Sequence, residues 1–267
     1  MSMIESQSKP TATRQRIAKS VAALAVGALA SLALPLHAQP ITVPNFSFES
    51  PGTPFASPSV ASWQKNAEPA FYGPAFGSSG FTWDQLAGVF FDSNPYANHD
   101  GSQVGYILSV PQVALFQDYT TSPTHDFNAT YNVGMSYNLT LGVFAKPGMA
   151  PGATLDLSLY YLDASNDKVT VGSTAITYSS AAFPITPTLS LIDYSVNVPT
   201  VQAGDAWAGQ HIGIEIASGI SIDQTTFVNW DFDNVRLTAA PEPATLSLAA
   251  LGFAGLLTGR ARSRRTS

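Results

Sequence analysis

Aromatic side chains are concentrated in an irregular stretch of the chain, and some of them have the chemistry that sugar recognition uses. Residues 63–101 contain few strand signals but many rings and turn residues, and long segments of this kind are often functional. A ring offers a rigid apolar platform, and neighbouring polar groups fix the orientation of a bound sugar. The ring candidates are Tyr72, Trp83 and Tyr96. Nearby polar groups are Asp84, Asn98 and Gln103. Any one of these rings is more often buried in a core than in contact with a ligand, but their collective excess in one loop-rich region favours a ligand-binding face here.

The chain lacks the signatures of several common catalytic classes. It contains no cysteine, which excludes disulfides, thiolate catalysis and Cys-ligated zinc. None of the patterns HExxH, GxSxG and GxxxxGKS/T is present. Three histidines follow the predicted signal peptide, namely His99, His125 and His211. They have no metal-ligand spacing and are expected on the surface or in strands. We therefore expect a non-catalytic protein, and the alternative is a secreted glycan-processing hydrolase that uses two carboxylates.

Charge is distributed unevenly along the chain. Residues 39–240 hold four bases against sixteen acids, a net charge of −12, whereas the whole chain has a net charge of −6. Nucleic acid is excluded as a partner because no cationic surface is available to displace counterions from phosphates. Acidic polysaccharides are repelled unless a divalent cation bridges them. These charges favour a neutral sugar or a calcium-bridged contact.

The elements that must position these residues are β-strands. Alternation of apolar and polar residues, interrupted by turn residues, predicts an all-β fold, an antiparallel β-sandwich or jelly roll, over residues 39–240. An N-terminal signal helix and a short C-terminal hydrophobic helix flank it. The predicted strands are Ile41–Glu49, Gln103–Leu108, Ala114–Tyr119, Tyr137–Phe144, Leu155–Leu162, Ile192–Val198, His211–Ala217 and Val228–Leu237.

The two ends of this body resemble the first and last strands of galactose-binding-like jelly rolls, the fold of many carbohydrate-binding modules. The segments are "VPNFSFES" at residues 43–50 and "NWDFDNVRL" at residues 229–237. The resemblance implies a structural calcium held by Glu49 and Asp233, with carbonyls near Asp100 and Ser102 as helpers, and calcium needs six to eight oxygen ligands. The alternation also changes phase around Asp233 and Asn234, which predicts a β-bulge that re-aims the carboxylate.

Both termini carry targeting signals. Residues 1–38 have a basic start, an apolar run and a small residue, Ala38, at the predicted cleavage site, as in a secretory signal peptide. Residues 241–267 join a Pro-Glu-Pro sequence to a 14-residue apolar run, too short for a span of about 30 Å at 1.5 Å per residue, and to an arginine cluster. This order resembles the PEP-CTERM sorting signal. The residues that carry the resemblance are Pro241, Glu242, Pro243, Arg260, Arg262, Arg264 and Arg265.

The sorting resemblance implies a route and a processing partner. Proteins with this signal are cleaved near the motif by an exosortase-type membrane protease, after transient insertion in the inner membrane. The product passes to the cell surface or to an extracellular polysaccharide matrix. We therefore expect an exported surface or matrix protein. The more specific prediction is that this protein binds a carbohydrate. A purely structural matrix protein without a ligand is a further alternative.

Overall fold

The computed structural model describes residues 37–91, 96–120, 122, 124–186 and 189–242. Residues 38–242 form one compact unit. The predicted signal helix and the predicted C-terminal hydrophobic helix lie outside the described residues, so the domain boundaries at 1–38, 39–240 and 241–267 stay predictions. Within the described part of the chain, no helix has the length and apolar character needed to cross a membrane.

Strands make up nearly all of the regular structure that is described. The strands are β1 (Gln39–Ile41), β2 (Ala56–Ser57), β3 (Gln64–Lys65), β4 (Ala87–Phe91), β5 (Gln103–Leu108), β6 (Ala114–Gln117), β7 (Met135–Ala145), β8 (Thr154–Leu162), β9 (Lys168–Thr177), β10 (Ile192–Val198), β11 (Gly213–Ser218) and β12 (Asn229–Pro241). Helical structure in the same residues is limited to a five-residue α-helix, α1 (Tyr72–Phe76), and two 3₁₀ turns, Trp83–Leu86 and Ile222–Gln224.

Two antiparallel sheets form the sandwich, and the predicted all-β jelly-roll class is confirmed. The larger sheet has seven strands in the order β10-β7-β12-β5-β4-β2, with β1 also paired to β12. The smaller sheet has five strands in the order β3-β6-β11-β8-β9. Strand β12 is central to the larger sheet, because β7 pairs along one side while β5 and then β1 pair along the other.

Alternate side chains from the two sheets form a single apolar core. On β8, Leu155, Leu157 and Leu159 are fully buried, as the alternation of the sequence predicts. On β12, Trp230 and Phe232 are also fully buried. Burial of such side chains contributes about 1.5–3 kcal/mol each. A chain without disulfides depends on this core for its cohesion.

Predicted strands agree with observed strands where apolar alternation is strong. Gln103–Leu108 and Ile192–Val198 have the observed bounds of β5 and β10. The prediction for Ile41–Glu49 is wrong beyond Ile41, because the chain turns there and Phe48 adopts a φ of 57°. Strand β9 was not predicted, since most of its residues are polar or small and partly exposed.

The predicted bulge in the last strand is confirmed. The register between β12 and β7 shifts between Asp233 and Arg236. Asn234 has a φ of 64° there, a left-handed conformation that asparagine tolerates better than most residues. The shift keeps Phe232 and Val235 both in the core although they are an odd number of residues apart. It also places Asp233 beside the loop that precedes β5.

Candidate functional site

The three rings predicted to form an exposed ligand-binding face are buried. Tyr72 has 2% of its surface exposed, Trp83 has 9% and Tyr96 has 1%. Tyr72 and Trp83 pack edge to face, with ring centroids 5.1 Å apart. This corrects the expectation of exposed faces, because none of the three rings offers an open platform. These three rings instead form part of the core beneath a loop-rich surface.

The polar atoms of these rings are satisfied within the protein. The Tyr72 hydroxyl donates to the Phe81 carbonyl at 2.9 Å, and Trp83 Nε1 donates to the Asn66 carbonyl at 2.9 Å. The Tyr96 hydroxyl donates to the buried carboxylate of Asp231. Such bonds fasten irregular backbone to the sandwich, since buried polar groups need partners.

The neighbouring polar residues also hold the fold. Asp84 forms an ion pair with Lys65 at 3.0 Å. The Asn98 side chain donates to the Leu191 carbonyl and accepts from the Leu191 amide, both at 2.8 Å. Gln103 is buried and donates to the carbonyls of a preceding loop. These three side chains therefore have structural partners at the positions where a sugar contact was expected.

Glu49 and Asp233, the predicted calcium ligands, bind the same loop. Glu49 Oε1 accepts from the amides of Ser102 and Gln103 at 2.8 and 2.7 Å. Asp233 Oδ2 accepts from the Asp100 amide at 2.6 Å. The two carboxylates thereby fix residues 100–103, which lead into β5. Gly101 is required between them, because a Cβ at that position would overlap the Glu49 side chain.

Burial makes Asp233 an unusual acid. It is completely buried, and burial raises its pKa from 3.8 to about 7; the nearby Asp100 also raises it, whereas backbone hydrogen bonds and His99 lower it. A bound cation would favour the ionised form, and carboxylate oxygens are ligands that a hard cation such as calcium prefers. All four oxygens already accept hydrogen bonds, since Glu49 Oε2 accepts from the Ser102 hydroxyl and Asp233 Oδ1 accepts from the Asn234 amide. No group of three or more metal-binding side chains exists among the described residues. Carbonyls or water would have to supply the other ligands, and calcium stays a prediction.

A pocket of about 310 Å³ lies at one end of the three inner strands of the five-stranded sheet, β6, β11 and β8. We call it the Tyr119 pocket. It is lined by Asp118, Tyr119, Thr120, Tyr160, Leu162, Asp163, Asn166, Gln210, His211 and Gly213. Strand β11 lies between β6 and β8 and runs antiparallel to both, so the start of β11 meets the ends of its neighbours. Residues that are far apart in the sequence therefore lie close together at this end of the strands.

A buried hydrogen-bond network forms the floor of the Tyr119 pocket. Asp118 is 4% exposed and accepts from the Tyr160 hydroxyl at 2.9 Å, while its other oxygen contacts His125 Nδ1. Burial and the Asp118 charge raise the pKa of Tyr160, so its hydroxyl stays a proton donor. The Tyr160 ring lies against Gly213, where a Cβ would overlap it. This network makes the floor rigid.

The wall of the Tyr119 pocket provides an aromatic surface and an unused polar atom. Tyr119 is 37% exposed, and its ring centroid lies 4.3 Å from that of His211. The buried Nδ1 atom of His211 has no hydrogen-bond partner among the described residues. Six other buried side-chain atoms among the described residues also have no partner, and ordered water commonly satisfies such atoms. The sequence prediction treated His125 and His211 as ordinary surface or strand residues and missed both roles. The predicted bounds place Tyr119 at the end of one strand and His211 at the start of another, but only the order of strands in the sheet brings the two together.

Comparison with known families identifies the C-terminal signal. The model of the PEP-CTERM protein-sorting motif matches residues 239–265. The chain carries a PEP-CTERM motif. This motif directs export across the membrane and sorting to the cell surface or the extracellular space, and it implies processing by an exosortase. No curated protein matches the sequence.

Several solved structures are similar to this chain, and the similarity of the first one concerns the fold alone. A Stig cyclase, Fisc from Fischerella sp. TAU, in complex with an indole compound, has a TM-score of 0.53 and 21% identity, over 77% of this chain and 99% of the cyclase. The K1 adhesin domain of Lys-gingipain from Porphyromonas gingivalis W83 has a TM-score of 0.36 and 15% identity, over 75% of this chain and 97% of the adhesin domain. The CBM22-1 xylan-binding domain of Paenibacillus barcinonensis Xyn10C has a TM-score of 0.39 and 9% identity, over 67% of this chain and 86% of that domain.

The described residues include only the start of the sorting signal. Pro241 is the last residue of β12, and the Glu242 amide donates to the Gly134 carbonyl at 2.9 Å. The other predicted signal residues, Pro243, Arg260, Arg262, Arg264 and Arg265, lie outside the described residues. The motif thus begins within the last strand of the sandwich.

Proposed function

We propose that this exported PEP-CTERM protein is a non-catalytic component of the cell surface or extracellular matrix that binds a neutral glycan in the Tyr119 pocket. The observation that carries the proposal is a partly exposed ring, Tyr119, in a pocket that polar side chains also line. Sugar sites use this combination, in which a ring covers the apolar face of the sugar and polar atoms orient its hydroxyls.

The polar lining of the Tyr119 pocket supports a ligand rich in hydroxyl groups. Thr120, Asn166 and Gln210 line it together with the two rings and provide both donors and acceptors. The acids Asp118 and Asp163 also line it, and the body has a strongly negative net charge. A neutral polysaccharide avoids the repulsion that an anionic one would meet.

The alternative of a glycan-processing hydrolase has less support. Such an enzyme needs two carboxyl groups that face the substrate. In the Tyr119 pocket, both oxygens of Asp118 are engaged by Tyr160 and His125. Asp163 Oδ1 accepts from the amides of Ser165 and Asp167, and so it shapes the turn between β8 and β9. Both acids are thus used to hold the pocket together.

The partners in this proposal are an extracellular polysaccharide, the exosortase and, for the loop at residues 100–103, a structural calcium. Calcium would be held by Glu49 and Asp233 and would neutralise the buried acid. It is tested by thermal melting of residues 38–242 with calcium or with a chelator. A rise in Tm with calcium that disappears in Asp233→Ala supports it, and equal Tm values in both conditions rule it out.

Affinity gel electrophoresis of residues 38–242 tests glycan binding. Gels contain a neutral polysaccharide such as a β-glucan, a xylan or a galactomannan, and alginate provides an anionic comparison. Retarded migration in at least one neutral gel, but not in alginate, is expected. The matched variants are Tyr119→Ala, which removes the pocket ring, and Phe91→Ala, which removes a ring of similar exposure elsewhere. Retardation must be lost in the first variant and kept in the second. Unretarded migration in every gel would leave a structural matrix protein as the better proposal.

A further inference from the structure

The sorting motif and the sandwich share residues. The motif match begins at Ala239, whereas β12 continues to Pro241. Ala239 pairs with Tyr137 of β7 on one side and with Gln39 of β1 on the other. The first residues of the signal therefore belong to a central strand of the larger sheet.

The pairing continues through the Pro-Glu part of the motif. Pro241 pairs with Met135 at the start of β7, and the Glu242 amide donates to the Gly134 carbonyl at 2.9 Å. The Ser136 hydroxyl also donates to the Ala240 carbonyl at 3.1 Å. The Gly134 amide in turn donates to the Val201 carbonyl at 2.9 Å, which holds the receiving turn in place. Residues 239–242 thus have backbone partners inside the folded body.

A protease needs the same backbone groups. Cleavage of a folded substrate requires local opening, because a peptide segment held in a ladder is not available to an active site. When opening and closing are fast, the cleavage rate follows the population of the open form. The energy of pairing at residues 239–242 therefore enters the rate of processing.

We propose that the folded sandwich and the processing protease compete for residues 239–242. The start of β7 and the turn at Gly134 hold the front of the motif, and cleavage near Pro-Glu-Pro waits for the end of β12 to open. Folding of the body then sets how quickly the protein leaves the membrane. The interaction surface is residues 134–137, the turn at Gly134 and the start of β7, and its partner is the chain's own sorting signal.

The first test releases the motif from the sheet. Four residues, Gly-Ser-Gly-Ser, are inserted between Ala240 and Pro241 in the full chain, so that Pro-Glu-Pro keeps its distance from the C-terminal segment but leaves β7. The control carries the same insertion between Ala203 and Gly204, in an exposed turn. Membranes that process the unaltered chain are used, and conversion of precursor to product is followed over time. The released variant should be processed about threefold to tenfold faster, as expected when about one hydrogen bond no longer opposes opening.

The second test locks the motif in the sheet. Ser136 and Ala240 are directly paired, and the chain has no other cysteine, so Ser136→Cys combined with Ala240→Cys can form only one disulfide within the chain. The oxidised variant should be processed at least about threefold more slowly than the Ser136→Cys single variant, the lower bound expected for one extra constraint on opening. Addition of dithiothreitol should restore the rate.

The two tests decide the proposal together. Faster processing of the released variant and reversible slowing of the locked variant support competition. If the released variant is processed no faster than its control, or if the oxidised lock leaves the rate unchanged, the motif is accessible in the folded protein and the proposal is wrong. Neither result depends on glycan binding, so this inference and the proposed function stand or fall separately.

Discussion

The aromatic stretch at residues 63–101 and the Tyr119 pocket differ in how they use their rings. In the aromatic stretch, Tyr72, Trp83 and Tyr96 are buried, and each donates a hydrogen bond to another part of the protein. In the Tyr119 pocket, one ring is 37% exposed, and the histidine beside it has an unpartnered buried nitrogen. The three rings predicted to bind a sugar are thus closed, whereas the exposed rings of the same stretch, Phe81 and Phe91, do not lie in the Tyr119 pocket.

The comparison shows why aromatic density is a poor guide to a binding face in a sandwich. A loop-rich segment without regular pairing must be fastened by side chains, and large rings with one polar atom do this well, since they pack and donate together. A pocket needs only one open ring if strand ends bring polar groups around it. The contrast between these two regions makes predictions for each.

The largest expected effect is on stability, from a ring of the aromatic stretch. Trp83→Ala removes a 9% exposed ring that packs on Tyr72 and donates to the Asn66 carbonyl. The free energy of unfolding should fall by about 3–5 kcal/mol, as for other large-to-small changes in a core. Urea denaturation of residues 38–242 measures it. The control is Phe55→Ala, which removes an 81% exposed ring and should change stability by about 0.5 kcal/mol or less. Equal effects of the two substitutions would contradict the assignment of Trp83 to the core.

The sequence could predict the sandwich but not which rings stay open. Alternation predicts β5 and β10 with their observed bounds, and the change of phase at Asp233 predicts the bulge. Burial of Tyr96 depends on contacts with residues far away in the sequence, such as Asp231. No local pattern encodes such contacts. The Tyr119 pocket was missed for the same reason, because β6, β8 and β11 become neighbours only in the sheet.

The second effect concerns the buried acid that ties the aromatic stretch to the last strand. Because the pKa of Asp233 is raised to about 7 in the folded protein, the folded state keeps a proton that the unfolded chain loses above pH 3.8. Stability contributed by this group is therefore complete below pH 3.8 and is lost as the pH rises to about 7. In chelator, the free energy of unfolding should fall by up to about 4 kcal/mol across this range. Denaturation at a series of pH values measures it.

Asp233→Asn isolates this effect from other titrations. The amide cannot ionise, so the decrease in stability between pH 4 and pH 7 should become smaller by the Asp233 contribution. Calcium, if it binds at Glu49 and Asp233, should also flatten the wild-type profile, because a bound cation keeps the carboxylate ionised. A wild-type profile in chelator that matches that of Asp233→Asn would show that the buried acid does not titrate in this range.

The third effect is on the floor of the Tyr119 pocket. Gly213→Ala adds a Cβ that overlaps the Tyr160 ring, whose hydroxyl is held by Asp118. The ring cannot move without loss of that bond, so the free energy of unfolding should fall by about 1–3 kcal/mol, as for overpacked sites. Gly204→Ala, in an exposed turn with open space around the glycine, is the matched control and should have little effect. Equal stability of the two variants would show that the Tyr160 ring is free to shift, and that the floor is not rigid.

The smallest effect on stability, and the sharpest on binding, is expected at the pocket ring itself. Tyr119→Ala removes a partly exposed ring and should change the free energy of unfolding by about 1 kcal/mol or less. Affinity for a neutral polysaccharide should nevertheless fall about tenfold or more, which corresponds to about 1.4 kcal/mol. Tyr119→Phe keeps the ring and should keep most of the affinity if the apolar face carries the contact. The reverse pattern, with affinity lost in Trp83→Ala molecules that remain folded but retained in Tyr119→Ala, would move the binding site to the aromatic stretch and invert the comparison.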